Sequence, residues 1–407
     1  MGEKGAAPTA ADEGVMQGFP ADRDHRVTFE NWQSSPFNRW SFHHVSEILH
    51  TARIPRGGSR WELPAATGAP DLGSVSFALP GGGVSTIGDW LPASYTDGML
   101  VLHEGAVVLE RYQNGMRPES LHLSMSVGKS MTSLLAGILV DRGAIRLDAP
   151  VTEYVPEIDG SGYTGATIQH LLDMAVALDY VEDYTDPEYE FWKIDYACGF
   201  GPDLGGAPAD CIIDLLKTFR GVARPHGEVF LYCSPDTDLL GIVCERVTGT
   251  RFAELYAREL WEPIGAEWDA DIALDPAGTA VVDGGFDVAL RDYGRIGQMV
   301  LDGGVAQGRQ IVPAAWIEEC WKPNHEPFLR SPAAELFPDG SYHNKWWQFG
   351  GRLHAWGIHG QVIAIHRESR TVVVIVSSEP TPDDDETRLT HSAIVEAVTR
   401  ALGSPGG

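Results

Sequence analysis

Two short stretches hold residue types that can do covalent chemistry. In SMSVGKSM, Ser124–Met131, a serine at 126 is followed three residues later by Lys129. In YCSPDTD, Tyr232–Asp238, a phenol stands directly before a strong helix start. A serine hydroxyl is a poor nucleophile until a neighbouring base takes its proton. Lysine is such a base only when its pKa falls far below about 10.4. Burial and the positive end of a helix dipole both push it that way. Lys129 sits in the apolar run SVGKSMTSLLAGIL, placed for burial, and the spacing sets it on the same helix face as Ser126, one turn on. The competing reading is a lysine that snorkels to solvent above a serine that merely caps the helix.

The pair alone is not specific. The chain has six lysines (Lys4, Lys129, Lys193, Lys217, Lys322 and Lys345), and chance supplies roughly a third of one Ser-x-x-Lys pair. The ending GKS also suggests a phosphate-binding loop, but that loop needs G-x-x-x-x-G-K-[ST], and Leu123 stands where its first glycine belongs. Without that turn the backbone amides cannot curl round a phosphate. A lysine gains and loses only one proton, so a second group must serve the leaving group. Tyr232 is the candidate, with an ordinary half-buried tyrosine as the plain alternative.

The elements that position these residues follow from pattern. MSVGKSMTSLLAGILVDRG has helical spacing and stops at Gly143. SPDTDLLGIVCERVTG reads as a helix with Ser234 at the N-cap, Pro235 at the first helical position and Gly249 at the exit. MLVLHEGAVVLERY, Met99–Tyr112, reads as a hairpin around a His-Glu-Gly turn. WGIHGQVIAIHRES and RTVVVIVSS read as two antiparallel strands, followed by a tail helix, ETRLTHSAIVEAVTRALG. Asp179 to Pro208, rich in tyrosine and acids, reads as a long surface loop. The expected fold is α/β (α+β). A mixed domain of residues 1–150 and 285–407, with a central antiparallel sheet flanked by helices, is built from both chain ends. A mainly helical domain, 151–284, is inserted between them, with the active site at the junction.

Composition narrows the function classes. A hydrophobic fraction of 43% suits a packed globular chain. With 57 acidic and 30 basic residues, the net charge of −27 repels phosphate backbones and favours cationic ligands, so nucleic acid is not an expected partner. No apolar run is long enough to cross a bilayer, and residues 1–30 lack the apolar core of a secretion signal. The expectation is a cytoplasmic protein with no membrane partner. Cys198, Cys211, Cys233, Cys244 and Cys320 are scattered and never spaced as C-x-x-C, which predicts buried thiols rather than disulfides or a zinc cluster. Neither a metal nor an organic cofactor is expected.

Ser126-Val127-Gly128-Lys129, Tyr232-Cys233-Ser234 and a Gly-containing strand near the C-terminus together resemble the serine β-lactamase and penicillin-binding-protein superfamily. The phrases MSVGKS, VTEYVPEI, LDYVEDYTDP, YCSPDTD, ERVTG, MVLDGGVA, FPDGSY followed by KWW, and GIHGQ narrow the likeness. In that order they resemble the 6-aminohexanoate-dimer hydrolases, nylon-oligomer amidases of its class C-like, carboxylesterase-type branch. The resemblance runs from FENWQSSPFNRW to the C-terminal helix.

It implies that Ser126 is the acylated nucleophile, Lys129 its general base and Tyr232 the proton shuttle, with the backbone N–H groups of Ser126 and Ile358 as the oxyanion hole. The superfamily's Lys-Thr-Gly box falls on Ala355-Trp356-Gly357, next to His359. Its lysine is missing, as in the esterase-like members, so β-lactams are not expected substrates. Ser234 stands where β-lactamases have asparagine, and Asp283 where the dimer hydrolases have it.

The loop LDYVEDYTDPEYEFWKID matches one that closes over substrate in those enzymes. Tyr184 falls on the tyrosine that hydrogen-bonds the scissile amide there, and Asp195 on the carboxylate that meets the substrate's free ammonium. Trp346 and Trp347 are expected as apolar walls, and His359 as a further substrate contact. The implied activity is hydrolysis of a linear amide of the 6-aminohexanoate-oligomer type, and of short-chain esters, through an acyl-enzyme on Ser126. The alternatives are a carboxylesterase with little amidase activity and a non-catalytic penicillin-binding-like module. The likeness also implies a homodimer.

Overall fold

The computed structural model describes residues 5–184 and 191–403. Residues 185–190 of the expected long loop lie outside the described residues. Strand β1 is Thr51–Ile54, β2 Thr96–His103, β3 Ala106–Tyr112 and β4 Leu121–Leu123. Strands β5 (Ala270–Ala273) and β6 (Phe286–Ala289) precede β7 (Ser341–His343) and β8 (Trp346–Phe349). The last three are β9 (Arg352–Gly357), β10 (Gln361–His366) and β11 (Thr371–Ser377). The helices that matter below are α1 (Val127–Asp141), α2 (Trp192–Ala197), α3 (Pro235–Thr248), α4 (Leu290–Leu301) and α5 (Asp385–Gly403).

Seven strands form one antiparallel sheet in the order β7-β8-β9-β10-β11-β2-β3, so segments from both halves of the chain lie side by side. The β-branched run of β11 is explained by burial on both faces. Val373 and Ile375 pack with Met99, Val101, Ile394 and Val398, beneath α5. Val372 and Val374 belong to the opposite core, with Leu100, Leu102, Ile296 and Met299 of α4. Successive side chains of a strand point to opposite faces, so one run serves two layers. A smaller antiparallel sheet has the order β1-β5-β6-β4. In it β5 pairs with β6, across residue 285, where the helical stretch was expected to end.

Three local expectations differ from the structure. WGIHGQVIAIHRES is not one strand: β9 ends at Gly357, and β10 begins at Gln361 after a tight turn in which His359 (φ +58°) and Gly360 (φ +89°) are left-handed. The stretch read as a loop from Asp179 contains the helix α2. Ser234 makes no side-chain cap on α3, and its own backbone is already helical, at φ −55° and ψ −46°. The helix exit is as expected, with Gly249 left-handed at φ +63°.

Helix α1 is the pillar of the site. Every residue from Val127 to Leu139 is buried, the state of a helix surrounded by protein on all sides. Its hydroxyls are satisfied by neighbouring turns: Ser130 donates to Lys345 O at 2.6 Å, Ser133 to Asn344 O at 2.6 Å and Thr132 to Val282 O at 3.0 Å. The five cysteines are buried free thiols. No helix among the described residues is long and apolar enough to cross a membrane.

Candidate active site

The chain turns from β4 into α1 at Ser124–Ser126. Ser124 N–H donates to Phe286 O at 2.7 Å, and Met125 adopts a left-handed φ of +44°. That backbone is unfavourable by roughly 1 kcal/mol or more for a side-chain-bearing residue, and it makes the turn sharp. Ser126 follows at the head of the helix, and Lys129 reaches back to it. Lys129 Nζ donates to Ser126 Oγ at 2.7 Å and to Asp283 O at 3.1 Å, and lies 3.4 Å from Asp283 Oδ2. At 1% exposure the lysine does not snorkel. Its Nζ is 5.2 Å from the centre of the Tyr232 ring. That ring is stacked on Trp347 with centroids 5.6 Å apart and meets Tyr342 edge-on, so the phenol is held by an aromatic cluster.

The electrostatics reverse one sequence expectation. Burial presses the Lys129 ammonium towards its neutral form, but Tyr232, Asp283, Glu182 and Asp238 outweigh it and hold the pKa above the ordinary lysine value. The burial invoked from sequence is a real influence; the acidity of the surroundings is larger. Tyr232 and Asp238 contribute only after losing protons that burial makes them keep. The resting ammonium therefore leans on Asp283 and Glu182. Burial raises the Tyr232 phenol, while Lys129 and Ser126 pull it down less strongly. Lysine and phenol act on each other's protons and titrate as a coupled pair.

Gly357, the last residue of β9, lies against the Ser124–Ser126 turn. A Cβ there would sit 2.8 Å from Ser124 O, 2.9 Å from Met125 Cβ and 2.9 Å from Ser126 N. The glycine is required by this close approach, since its φ of −133° is ordinary extended backbone. Ser126 and Ile358 each stand at the start of a helical turn, where backbone N–H groups have no partner within the helix. Both residues line the same two cavities, an arrangement able to hold an oxyanion.

Two cavities meet at this point. One, of about 200 Å³, is lined by Phe230, Tyr232, Trp347 and Trp356 together with Ser126 and Tyr184. The other, of about 500 Å³, is lined by Gln33, Tyr184, Trp192, Asp195, Ile358 and His359. A small space touching Ser126, Tyr184, Asp195, Asp283 and Ile358 lies between them. Asp195 Oδ2 accepts from Gln33 Nε2 at 3.1 Å. Burial pushes the Asp195 carboxyl up to about 7, against the opposing pull of Gln33. His359 Nδ1 lies 2.6 Å from Glu379 O, and burial lowers the ring to about 4.

The structure thus gathers Ser126, Lys129, Tyr232, Tyr184, Asp195, Asp283, Ile358 and His359 around one cleft. Trp346 is a correction. It is fully buried in the core and lines none of these cavities, because its neighbour Trp347 takes the opposite face of β8. Sequence reasoning missed Glu182, one carboxylate in an acidic loop with nothing to set it apart. It also missed Lys345, which is 1% exposed, has an Nζ without a hydrogen-bond partner among the described residues, and is lowered by burial to about 8. His43, Asp97 and His122 are spaced to hold a metal ion, but the Arg39 guanidinium lies 2.7 Å from Asp97 Oδ1, and Ser378 donates to Asp97 Oδ2 at 2.6 Å. A cation already occupies that charge.

The beta-lactamase family model matches residues 93–397. The chain is similar to the 6-aminohexanoate-dimer hydrolase of Paenarthrobacter ureafaciens, at 37% identity over 94% of this chain and 96% of that one. It is also similar to the esterase EstB of Burkholderia gladioli, at 30% identity over 41% of this chain and 42% of that one. A solved structure from Bacillus anthracis, provisionally named a 6-aminohexanoate-dimer hydrolase, superposes with a TM-score of 0.86 at 26% identity, covering 95% of this chain and 99% of that one.

Proposed function

The chain belongs to the beta-lactamase family of serine hydrolases, and from that premise we propose that it hydrolyses linear secondary amides whose acyl part ends in an ammonium, together with short esters. The observation that carries this reading is the 2.7 Å contact between Lys129 Nζ and Ser126 Oγ at the meeting point of two cavities. Ser126 attacks the carbonyl, and its proton passes to the Lys129–Tyr232 pair. The Ser126 and Ile358 amides hold the oxyanion. The pair returns the proton to the leaving nitrogen, and water then repeats the sequence on the acyl-enzyme. The aromatic-walled cavity suits an alkyl chain. Asp195, in the other, suits a cationic end.

The likeness to the Paenarthrobacter enzyme supports the amidase reading, and the likeness to EstB supports the ester one. Tyr184 distinguishes them, since an ester has no N–H for it to bind. We expect Tyr184→Phe to lower kcat/KM for a 6-aminohexanoate-dimer amide by about ten- to a hundredfold and for a matched p-nitrophenyl ester by less than about threefold. Equal losses on both substrates would reject the amidase reading in favour of the carboxylesterase.

Asp195 makes a pH-dependent prediction. Only its ionised form pairs with an ammonium, and its pKa lies at about 7. As pH falls below that value the ionised fraction shrinks, so KM for an amine-ended substrate is expected to rise by about tenfold per pH unit. KM for an uncharged ester stays level over the same range, and Asp195→Asn removes the dependence. A rise shared by both substrates would mean that Asp195 does not meet the substrate.

A further inference from the structure

The Glu182 carboxylate accepts four hydrogen bonds from two separate parts of the chain. Its Oε1 accepts from the Tyr184 hydroxyl and, at 2.5 Å, from Ser234 Oγ. Its Oε2 accepts from the Tyr180 hydroxyl at 2.8 Å and from Ser234 N–H at 2.6 Å. An ionised carboxylate offers about four lone-pair sites, so this one is saturated and has none left for substrate. Glu182 also does for α3 what Ser234 does not, placing an anion on the amide at the helix start.

Saturation has a consequence for Tyr184. Its single hydroxyl hydrogen is committed to Glu182, so the face it turns to the cleft beside Ser126 is an oxygen lone pair. A lone pair accepts an N–H and offers nothing to an ester oxygen. We infer that Glu182 is a positioning residue that sets the polarity of Tyr184, making the phenol an acceptor for the scissile N–H and giving the site its preference for secondary amides over esters and tertiary amides. This inference rests on the reading of Tyr184 as the residue that meets the scissile amide.

The chemistry is one of orientation. Attack on the carbonyl makes the amide nitrogen pyramidal, with a hydrogen and a lone pair that can exchange places. Holding the hydrogen on Tyr184 turns the lone pair towards the Lys129–Tyr232 pair, which must protonate it before the C–N bond breaks. The proton delivered is the one taken from Ser126. The Tyr184 proton stays with Glu182 throughout.

The test compares three substrates sharing one acyl group: a secondary amide, its N-methyl tertiary amide and a p-nitrophenyl ester. They are assayed with the wild type, Glu182→Ala, Tyr184→Phe and the double variant. Glu182 also acts on the charges of Lys129 and Tyr232, so each enzyme is compared at its own pH optimum. In Glu182→Ala the Tyr184 hydrogen is free to turn into the cleft. We expect kcat/KM for the secondary amide to fall at least about tenfold and the other two substrates to change by less than about threefold. In the Tyr184→Phe background the same substitution should bring no further loss on the secondary amide.

Equal losses on all three substrates, or a full additional loss in the Tyr184→Phe background, would overturn the inference and leave Glu182 a structural residue. An amide-specific loss in Tyr184→Phe with Glu182→Ala unchanged would overturn the inference alone. Equal losses in Tyr184→Phe remove the reading of Tyr184, and the inference with it. Should Glu182→Ala fail to fold, Glu182→Gln takes its place. It offers half the acceptor sites and turns an NH₂ towards two of the four donors, so the same substrate split is expected.

Discussion

Replacing Lys129 with methionine is expected to lower kcat/KM by about 10³- to 10⁴-fold, on esters and amides alike. Methionine has a similar length and fits an enclosed position on a buried helix, so the helix around it is retained. What is lost is the group 2.7 Å from the Ser126 hydroxyl. Tyr232 is left alone with a proton that burial makes it keep, and it accepts none from the serine at neutral pH. Asp283 loses its counter-ion but is 15% exposed, so water can solvate it and KM should change little.

Fluorophosphonate labelling reports the same step. It should slow by a similar factor in Lys129→Met and be absent in Ser126→Ala. The pH profile adds a sign. The surrounding acids hold the Lys129 pKa above its ordinary value, so the proton-accepting form of the pair is scarce at neutral pH and grows as pH rises. Ester kcat/KM of the wild type should climb through the alkaline range, and the climb should vanish in Lys129→Met. A methionine variant that labels at the wild-type rate would remove Lys129 from the reaction.

Gly357→Ala is expected to lower kcat by about 10²- to 10³-fold with little change in KM. The added methyl meets three atoms of the turn that carries Ser126, at 2.8, 2.9 and 2.9 Å. None of them is the far end of a flexible side chain, so the backbone must move. Ser126 is anchored from behind by the buried Val127–Leu139 stretch of α1, and Gly357 by its strand pairing with Gln361. The strain therefore falls between them, on the spacing of the Ser126 and Ile358 amides. An oxyanion held by two N–H donors tolerates only tenths of an ångström before one is lost. Esters and amides should suffer equally, because both pass through the same oxyanion. A melting temperature close to the wild type would separate loss of geometry from loss of fold. An alanine variant with undiminished kcat would show that this pair of amides does not hold the oxyanion.

The two predictions differ in how far they were legible beforehand. Ser126 and Lys129 are three residues apart on a helix whose apolar spacing is plain, and that period alone sets them on one face. The hairpin of β2 and β3 was legible from near neighbours too: its turn carries Glu104 and Gly105 at positive φ, between two apolar, β-branched runs. Gly357 was legible only as part of a three-residue match. That a Cβ added to it would come within 2.9 Å of Ser126 N is a fact about two segments far apart in the chain.

The same division explains the misplacements. Trp346 and Trp347 are adjacent and identical in type, so which of them faces the cleft depends on which side of β8 is the core. Ser234 has the residue type of a cap, but Glu182 arrives from another segment and takes its hydroxyl. The expected depression of Lys129 followed from burial, which the sequence does predict. Its reversal comes from Tyr232, Asp283, Glu182 and Asp238, groups of other segments that converge on one amine.

By itself, then, the sequence determined what is short-range and periodic. This covers the helix that carries serine and lysine together, the antiparallel strands near the C-terminus, the buried thiols, and a surface charge that suits cations. Tertiary structure alone decided the charge state of Lys129, the donor–acceptor polarity of Tyr184, and the tryptophan that walls the cleft. The physical reason is that backbone periodicity is set by neighbours a few residues away. A pKa, a hydrogen-bond direction and a close contact are sums over every group within a few ångströms, and folding draws those groups from the whole chain.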